Sequence, residues 1–206
     1  MCPSKHRRVA RRKSNRSLWF AIGAIAVIVI SVGIYFAVVN QAPATIPPTK
    51  VLLQTTAGNI TLDLRTDKPI TSGNFINLVE QGKYDGTTFH RTVAGFMIQG
   101  GKVSGSVPAI NDEIGSNNRN VAYTIAMAKI AQPNSATSEF FINVFDNGQK
   151  YAPTFDETYS VFGTVISGQD VVDAIANAPA TENPYIANEI SVPVNPVTII
   201  KASIVP

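Results

Sequence analysis

An uninterrupted run of 22 uncharged residues, Leu18–Val39, restricts this chain more than any other feature. As an α-helix it would be about 33 Å long, against a bilayer hydrocarbon core of about 30 Å. Seven of the seventeen basic residues precede it (Lys5, Arg7, Arg8, Arg11, Arg12, Lys13 and Arg16), with no acid among residues 1–17. That asymmetry predicts a single-pass segment with a cytoplasmic N-terminus and an extracytoplasmic remainder. Ala42-Pro43-Ala44 is loosely like a cleavage site. The apolar run, however, exceeds the roughly 7–15 residues of a cleaved signal core, so an uncleaved signal anchor in the cell membrane is expected. The tail before it reads as a topology determinant in contact with anionic lipid.

Removing the tail changes the character of the chain. The net charge of +3 becomes −4, from ten basic residues against all fourteen acids, so nucleic acid is not an expected partner of the main domain. Cys2 is the only cysteine. No internal disulfide can form, and the outer domain must stand on its core alone. Residues 40–49, with Pro43, Pro47 and Pro48, read as a stiff linker, and a domain of ordinary size follows over residues 50–206. A monomer is expected.

From Lys50 the pattern is that of short strands. Val51–Thr55 and Ile60–Leu64 flank a turn at Ala57-Gly58-Asn59, with Ile60, Leu62 and Leu64 alternating with Thr61 and Asp63. Pro69–Gln81 predicts a helix with Phe75, Leu78 and Val79 on one face and Gly82 as its stop. Residues 102–120 read as a long polar loop. Thr124–Ala128, Phe140–Val144 and Tyr159–Ile166 read as strands, Gln169–Ala176 as a second helix, and Val197–Ile200 as the start of a last strand. Many short strands with two helices predict an antiparallel sheet that closes on itself, the helices covering its ends.

The candidate site is the run Phe89–Gly101. It sets Arg91 among Phe96, Met97 and Ile98, with Gln99 close behind and a glycine pair at the end. Arginine keeps its proton at working pH, so it serves as a fixed donor and not as a general base. Such a donor beside apolar side chains suits gripping a polar atom while a ring is held, although a strand with a surface arginine fits the same residues. His6 and His90 are the only histidines, no phosphate-binding glycine loop precedes a helix, and no serine triad surrounds His90. No metal or cofactor is expected.

The run Phe89–Gly101 closely resembles the motif of cyclophilins, the peptidyl-prolyl cis–trans isomerases. A second block agrees: Ile125-Ala126-Met127-Ala128-Lys129, then Pro133-Asn134-Ser135-Ala136-Thr137-Ser138-Glu139-Phe140-Phe141-Ile142-Asn143-Val144. It is similar to the bacterial branch, and Val161-Phe162-Gly163 with Gly168–Val172 extends the resemblance over Lys50–Ile204. The resemblance implies a closed eight-stranded antiparallel barrel capped by two helices. It implies Arg91 as the catalytic residue, Phe96, Met97 and Phe141 as walls of a proline pocket, and Gln99 as a contact to substrate backbone. Ala128 falls beside the bound peptide, His90 is the neighbouring histidine, and Phe155 and Tyr159 fall at the rim. Three positions depart from the family: Glu139 for glutamine, Thr154 for a tryptophan of some members, and Lys102 for aspartate. Glu139 either orients Arg91 or draws it away from substrate.

Rotation about an X–Pro bond meets a barrier of about 20 kcal/mol, yet no bond is made or broken. A donor to the prolyl nitrogen weakens amide resonance as the bond twists. One charged hydrogen bond contributes about 1.5–3 kcal/mol, roughly ten- to a hundredfold in rate, so desolvation and positioning by the apolar walls must supply the rest. The expected function is catalysis of proline isomerisation during folding of extracytoplasmic proteins, with proline-containing peptides and unfolded proteins as partners. A proline-peptide binding module with little turnover, or a structural surface barrel, are the other readings.

Overall fold

The computed structural model describes residues 45–206. The basic tail, the run Leu18–Val39 and the first part of the linker lie outside those residues. Among the described residues no helix is long and apolar enough to cross a membrane. The described end of the linker is already docked, since Ile46 N–H donates to Thr66 O at 3.0 Å.

Two seven-residue strands open the domain: β1 (Thr49–Thr55) and β2 (Gly58–Leu64), paired antiparallel around a tight turn. Their alternation sends Val51, Leu53, Ile60, Leu62 and Leu64 inward. Helix α1 (Pro69–Glu80) buries Phe75, Leu78 and Val79. No side chain of its own N-terminus caps it. The carboxylate of Glu113, 43 residues on, accepts from Ile70 N–H (3.2 Å) and Thr71 N–H (2.7 Å) instead. Four short strands follow, β3 (Phe89–Val93), β4 (Met97–Gly100), β5 (Thr124–Met127) and β6 (Phe140–Asn143). Next come two short helices, α2 (Asn147–Lys150) and α3 (Thr154–Thr158), and strand β7 (Val161–Ser167). Helix α4 (Gln169–Ala176), the hairpin β8 (Ala180–Glu182) and β9 (Ile190–Pro193), and β10 (Ile199–Val205) complete the chain.

The main sheet runs β10-β1-β2-β7-β5-β6-β4-β3. It is a curled half-barrel and not the closed barrel expected from the sequence. One edge of β10 is paired with β1 from Ile199 to Val205, and on its other edge only Ile199 makes backbone hydrogen bonds, to the stretch before β3. What faces β3 is the irregular stretch before β10, where Pro196 has no N–H to give. One bridge, Thr88–Thr198, and three backbone hydrogen bonds (Phe89 N to Val197 O 2.9 Å, Ile199 N to Thr87 O 2.8 Å, Gly86 N to Ile199 O 2.8 Å) form the seam.

Inside the curl lies an aromatic centre. The Phe75 ring is 5.0 Å from Tyr84, 5.6 Å from Phe140 and 5.2 Å from Phe162, centroid to centroid. The glycine pair ending the run Phe89–Gly101 is what lets these rings seat. A Cβ at Gly101 would lie 2.6 Å from the Phe140 ring, and one at Gly100 would lie 2.9 Å from Thr88 O. Helices α1 and α4 add to the same core, α1 on β7 and β10, α4 on β2, β3 and β4.

Phe140→Ala is expected to lower unfolding stability by about 3–5 kcal/mol, because it opens a void beside the rings of Phe75, Tyr84 and Phe89. Chemical denaturation of the two proteins side by side measures it.

Candidate active site

The site is built on the face of the sheet opposite the core. In antiparallel pairs, residues directly across from one another share a face. Arg91 of β3 pairs with Gln99 of β4, Gln99 with Phe141 of β6, Phe141 with Ala126 of β5, and Ala126 with Val161 of β7. One register row across five strands thus carries the cation, its polar neighbour and three apolar residues. Met97, Ala126, Phe141 and Val161 form a buried cluster separate from the main core, with Phe96, Ala128, Phe155 and Tyr159 packed around it.

Arg91 reaches this face through a break in the strand. Phe89 and Arg91 are two residues apart and would share a face in a regular strand, yet Phe89 is fully buried in the core. The register slips between them, which makes His90 the extra residue of a bulge. That slip turns Phe89 inward and Arg91 outward.

A cavity of about 360 Å³ opens over the row. It is lined by Arg91, Phe96, Met97, Gln99, Ala128, Glu139, Phe141, Phe155 and Tyr159, together with Lys129, Ile130, Ser135 and Thr137. Nine of the ten residues singled out from the sequence therefore converge on one hollow. The tenth, His90, does not line it. Its Nε2 lies 3.3 Å from Glu139 Oε2, behind the polar rim.

Aromatic rings wall one side. Phe96 meets Phe155 at 5.7 Å, and Phe141 meets both Phe155 (5.8 Å) and Tyr159 (5.3 Å). Tyr151 packs edge-on to Phe96 at 5.4 Å, so a ring stands beside Thr154. The polar loop 102–120 fastens this wall. Buried Asn118 donates to Asp156 O (2.6 Å) and Tyr159 O (2.8 Å), and Asn120 N–H donates to Asp156 Oδ1 (2.7 Å). Its Asn content, read from sequence as a mark of an open loop, supplies the amides that hold Phe155 and Tyr159. Asn147 holds the other end of the wall, donating to Phe96 O at 2.7 Å.

The polar rim is a continuous chain. Arg91 Nε and Nη2 donate to Glu189 Oε1 (2.7 Å) and Oε2 (2.6 Å), and Nη1 donates to Gln99 Oε1 (3.3 Å). Gln99 Nε2 donates to Glu139 Oε2 at 2.9 Å. Glu139 therefore does not pair with Arg91. As a pure acceptor it takes the amide of Gln99 and so turns the carbonyl oxygen of Gln99 toward the guanidinium. The hydrogen bond with His90 holds the Glu139 carboxyl below its ordinary range; partial burial opposes this, and Gln99 and nearby Lys102 assist it. Glu189, on the turn of the β8–β9 hairpin, was not visible as a site residue in the sequence: it belongs to neither motif, and no local pattern marks it.

The family description "Cyclophilin type peptidyl-prolyl cis-trans isomerase/CLD" matches residues 50–204, and the chain belongs to that family. It is an enzyme that interconverts the cis and trans forms of peptidyl-prolyl bonds. The chain is 43% identical over 163 residues to the peptidyl-prolyl cis-trans isomerase of Acinetobacter baylyi, covering 76% of this chain and 85% of that protein. It is 41% identical over 175 residues to peptidyl-prolyl cis-trans isomerase A of Dickeya dadantii, covering 81% and 90%. The fold is that of a Cryptosporidium parvum cyclophilin type isomerase, at a TM-score of 0.66 and 24% identity over 77% of this chain and 98% of that one. The same protein in the presence of the dipeptide Ala-Pro gives a TM-score of 0.64, also at 24% identity, over 76% and 99%.

Glu139 gives a pH-dependent contribution to stability of defined sign. Its folded carboxyl is depressed below its ordinary 4.5, so the contribution is present above about that pH and is lost as pH falls through the folded value. Glu139→Gln should remove this acid-side component, and the difference between the denaturation free energies of the two proteins should shrink below pH 4.5.

Proposed function

We propose that Arg91 is the catalytic residue of this isomerase and that the hollow beside it takes the proline ring. The observation that carries this is the register row, which sets a guanidinium at the rim of a cavity floored by Met97 and Phe141 and walled by Phe96 and Phe155. The Ala-Pro dipeptide used with the Cryptosporidium parvum relative supports a proline-containing peptide as the substrate here.

The steps follow from this arrangement. The ring enters an apolar hollow and loses water, so that no solvent competes for the prolyl nitrogen once its lone pair is released. The amide twists, its resonance weakens, and the nitrogen lone pair becomes a better acceptor. A donor from Arg91 engages that lone pair most strongly when the bond is half turned, so it favours the transition state over either isomer. Gln99, with its carbonyl committed to Arg91 and one amide hydrogen to Glu139, has a second amide hydrogen for a substrate carbonyl. Because the chemistry is rotation, every one of these contributions is positional.

We further propose that the enzyme acts outside the cytoplasm, held by Leu18–Val39 as a single-pass anchor with residues 1–17 inside, on secreted or surface proteins that are still folding. The seven cations before that run and its 22 uncharged residues support this reading. Slow proline steps limit folding on a scale of tens of seconds, which gives such a catalyst a use there.

Two experiments test these statements. In an isomer-specific peptide assay on the full chain, the parent should accelerate exchange and Arg91→Ala should lose about ten- to a hundredfold in kcat/KM, one charged hydrogen bond's worth; equal rates would remove Arg91 from the mechanism. Membrane fractionation with protease shaving of intact cells should find the chain in the membrane fraction and its domain cleavable from outside. Recovery in the soluble fraction would refute the anchor.

A further inference from the structure

The β8–β9 hairpin packs against β3, the strand that carries Arg91, and delivers a carboxylate to the guanidinium from the side away from the hollow. Glu189 is not among the residues that line the cavity, so it leaves the hollow itself open. Its two oxygens take Nε–H and one hydrogen of Nη2, the side edge of the guanidinium, at 2.7 and 2.6 Å. Gln99 takes one hydrogen of Nη1. Of five donor hydrogens two remain, one on each terminal nitrogen. A long, unbranched side chain with four rotatable bonds is thereby reduced to a single placement, with its free donors on the edge that Glu189 leaves open.

The carboxylate is itself held. Asn183 N–H donates to Glu189 O at 2.8 Å, and Glu189 N–H donates to Ile186 O at 3.3 Å, closing the turn that presents it. Asn183 Nδ2 donates to Ser191 Oγ at 2.9 Å, and Ser191 is fully buried. Asn188, in the left-handed region at φ 62°, makes the bend just before Glu189. Both partners of the ion pair are only about a fifth exposed, Arg91 at 21% and Glu189 at 19%, so water competes weakly for it. The pair thus has what surface pairs lack: bidentate geometry, partial burial and a fixed carrier.

We infer that Glu189 is the positioning residue of the catalytic arginine, fixing its guanidinium by a bidentate clamp so that the remaining N–H groups are already aimed when the prolyl amide twists. The inference rests on the role proposed for Arg91. Its physical logic is that of a support behind a reacting group: a donor must be in place at the transition state without first being ordered there. Phe96 adds a second restraint, its ring centroid lying 5.8 Å from the guanidinium carbon. The bonding of Arg91 also holds the Glu189 carboxyl below its ordinary range, so the clamp stays ionised across neutral pH.

The test compares the full-length parent with Glu189→Ala, Glu189→Gln and Arg91→Ala. Glu189→Ala should lower kcat/KM about tenfold through kcat, with KM within about twofold, because the walls that hold the ring do not depend on Glu189. Glu189→Gln keeps one acceptor and should fall between the two. The direct readout is the Nε–H resonance of Arg91 in a ¹⁵N spectrum. It should be sharp and slow to exchange with water in the parent, and broadened or lost in Glu189→Ala, while the backbone amide pattern persists. A merely structural role of the hairpin would not give that signature in a protein whose amide spectrum and melting temperature are unchanged. A loss in Arg91→Ala together with rates within about twofold of the parent in both Glu189 variants would overturn the clamp alone. Faster turnover in Glu189→Ala would also overturn it, since the carboxylate would then be a restraint and not a support. No loss in Arg91→Ala would overturn the reading on which the clamp rests.

Discussion

Successive side chains of a strand leave on opposite faces, and this alternation governs the molecule most tightly where strands are only four residues long. Along β6, Phe140 enters the aromatic centre and Phe141 the hollow; along β4, Ile98 goes inward while Met97 and Gln99 go outward. Each of these strands therefore serves core and site with adjacent residues. The floor of the pocket is thus fixed by the sheet itself, and its stiffness is that of a packed interior.

The bulge at His90 is the local exception that makes the arrangement useful. Without the slip, Phe89 and Arg91 would compete for one face: either an aromatic would be lost from the core or a cation driven into it, at a cost that only a partner could offset. The extra residue resolves this, and its own side chain joins the polar rim through Glu139. From Glu189 through Arg91, Gln99 and Glu139 to His90, five residues from β3, β4, the stretch before β6 and the β8–β9 turn form one chain of donors and acceptors. Two carboxylates bracket one guanidinium and one amide. Glu139, a departure from the family, settles the orientation of Gln99 by offering only acceptors.

Much of this was legible in the residues. Period-two alternation gave β2 and the turn at Ala57-Gly58-Asn59 gave its partner β1, apolar spacing and a proline start gave α1 to within one residue, and Gln169–Ala176 emerged as α4 with the bounds read from sequence. The two motifs named seven residues that line the cavity, and Phe155 and Tyr159 were placed at its rim by the same resemblance, because local runs carry register and register carries faces. Other features depend on partners far away in the chain and left no local trace. The closed barrel expected from the sequence gave way to a curled sheet because the β10 end of the sheet meets β3 only at the short stretch Val197–Ile199, through one bridge and a few hydrogen bonds, a meeting of segments about 100 residues apart. Glu189 is paired across 98 residues. The short helices α2 and α3 carry little apolar periodicity, and Asn118 looked like a loop residue until its amide was seen bracing Tyr159.

The seam beside β3 has a further consequence. The hairpin that reaches Arg91 belongs to a separate two-stranded sheet, so residues can be added to or removed from its turn without shifting the register of any strand in the main sheet. Strands that build the hollow cannot vary in that way, since a one-residue change would exchange their two faces. The fold thus divides its labour between a platform of fixed register and an adjustable outrigger. A change of length in the outrigger leaves the platform, and with it the shape of the hollow, as it is.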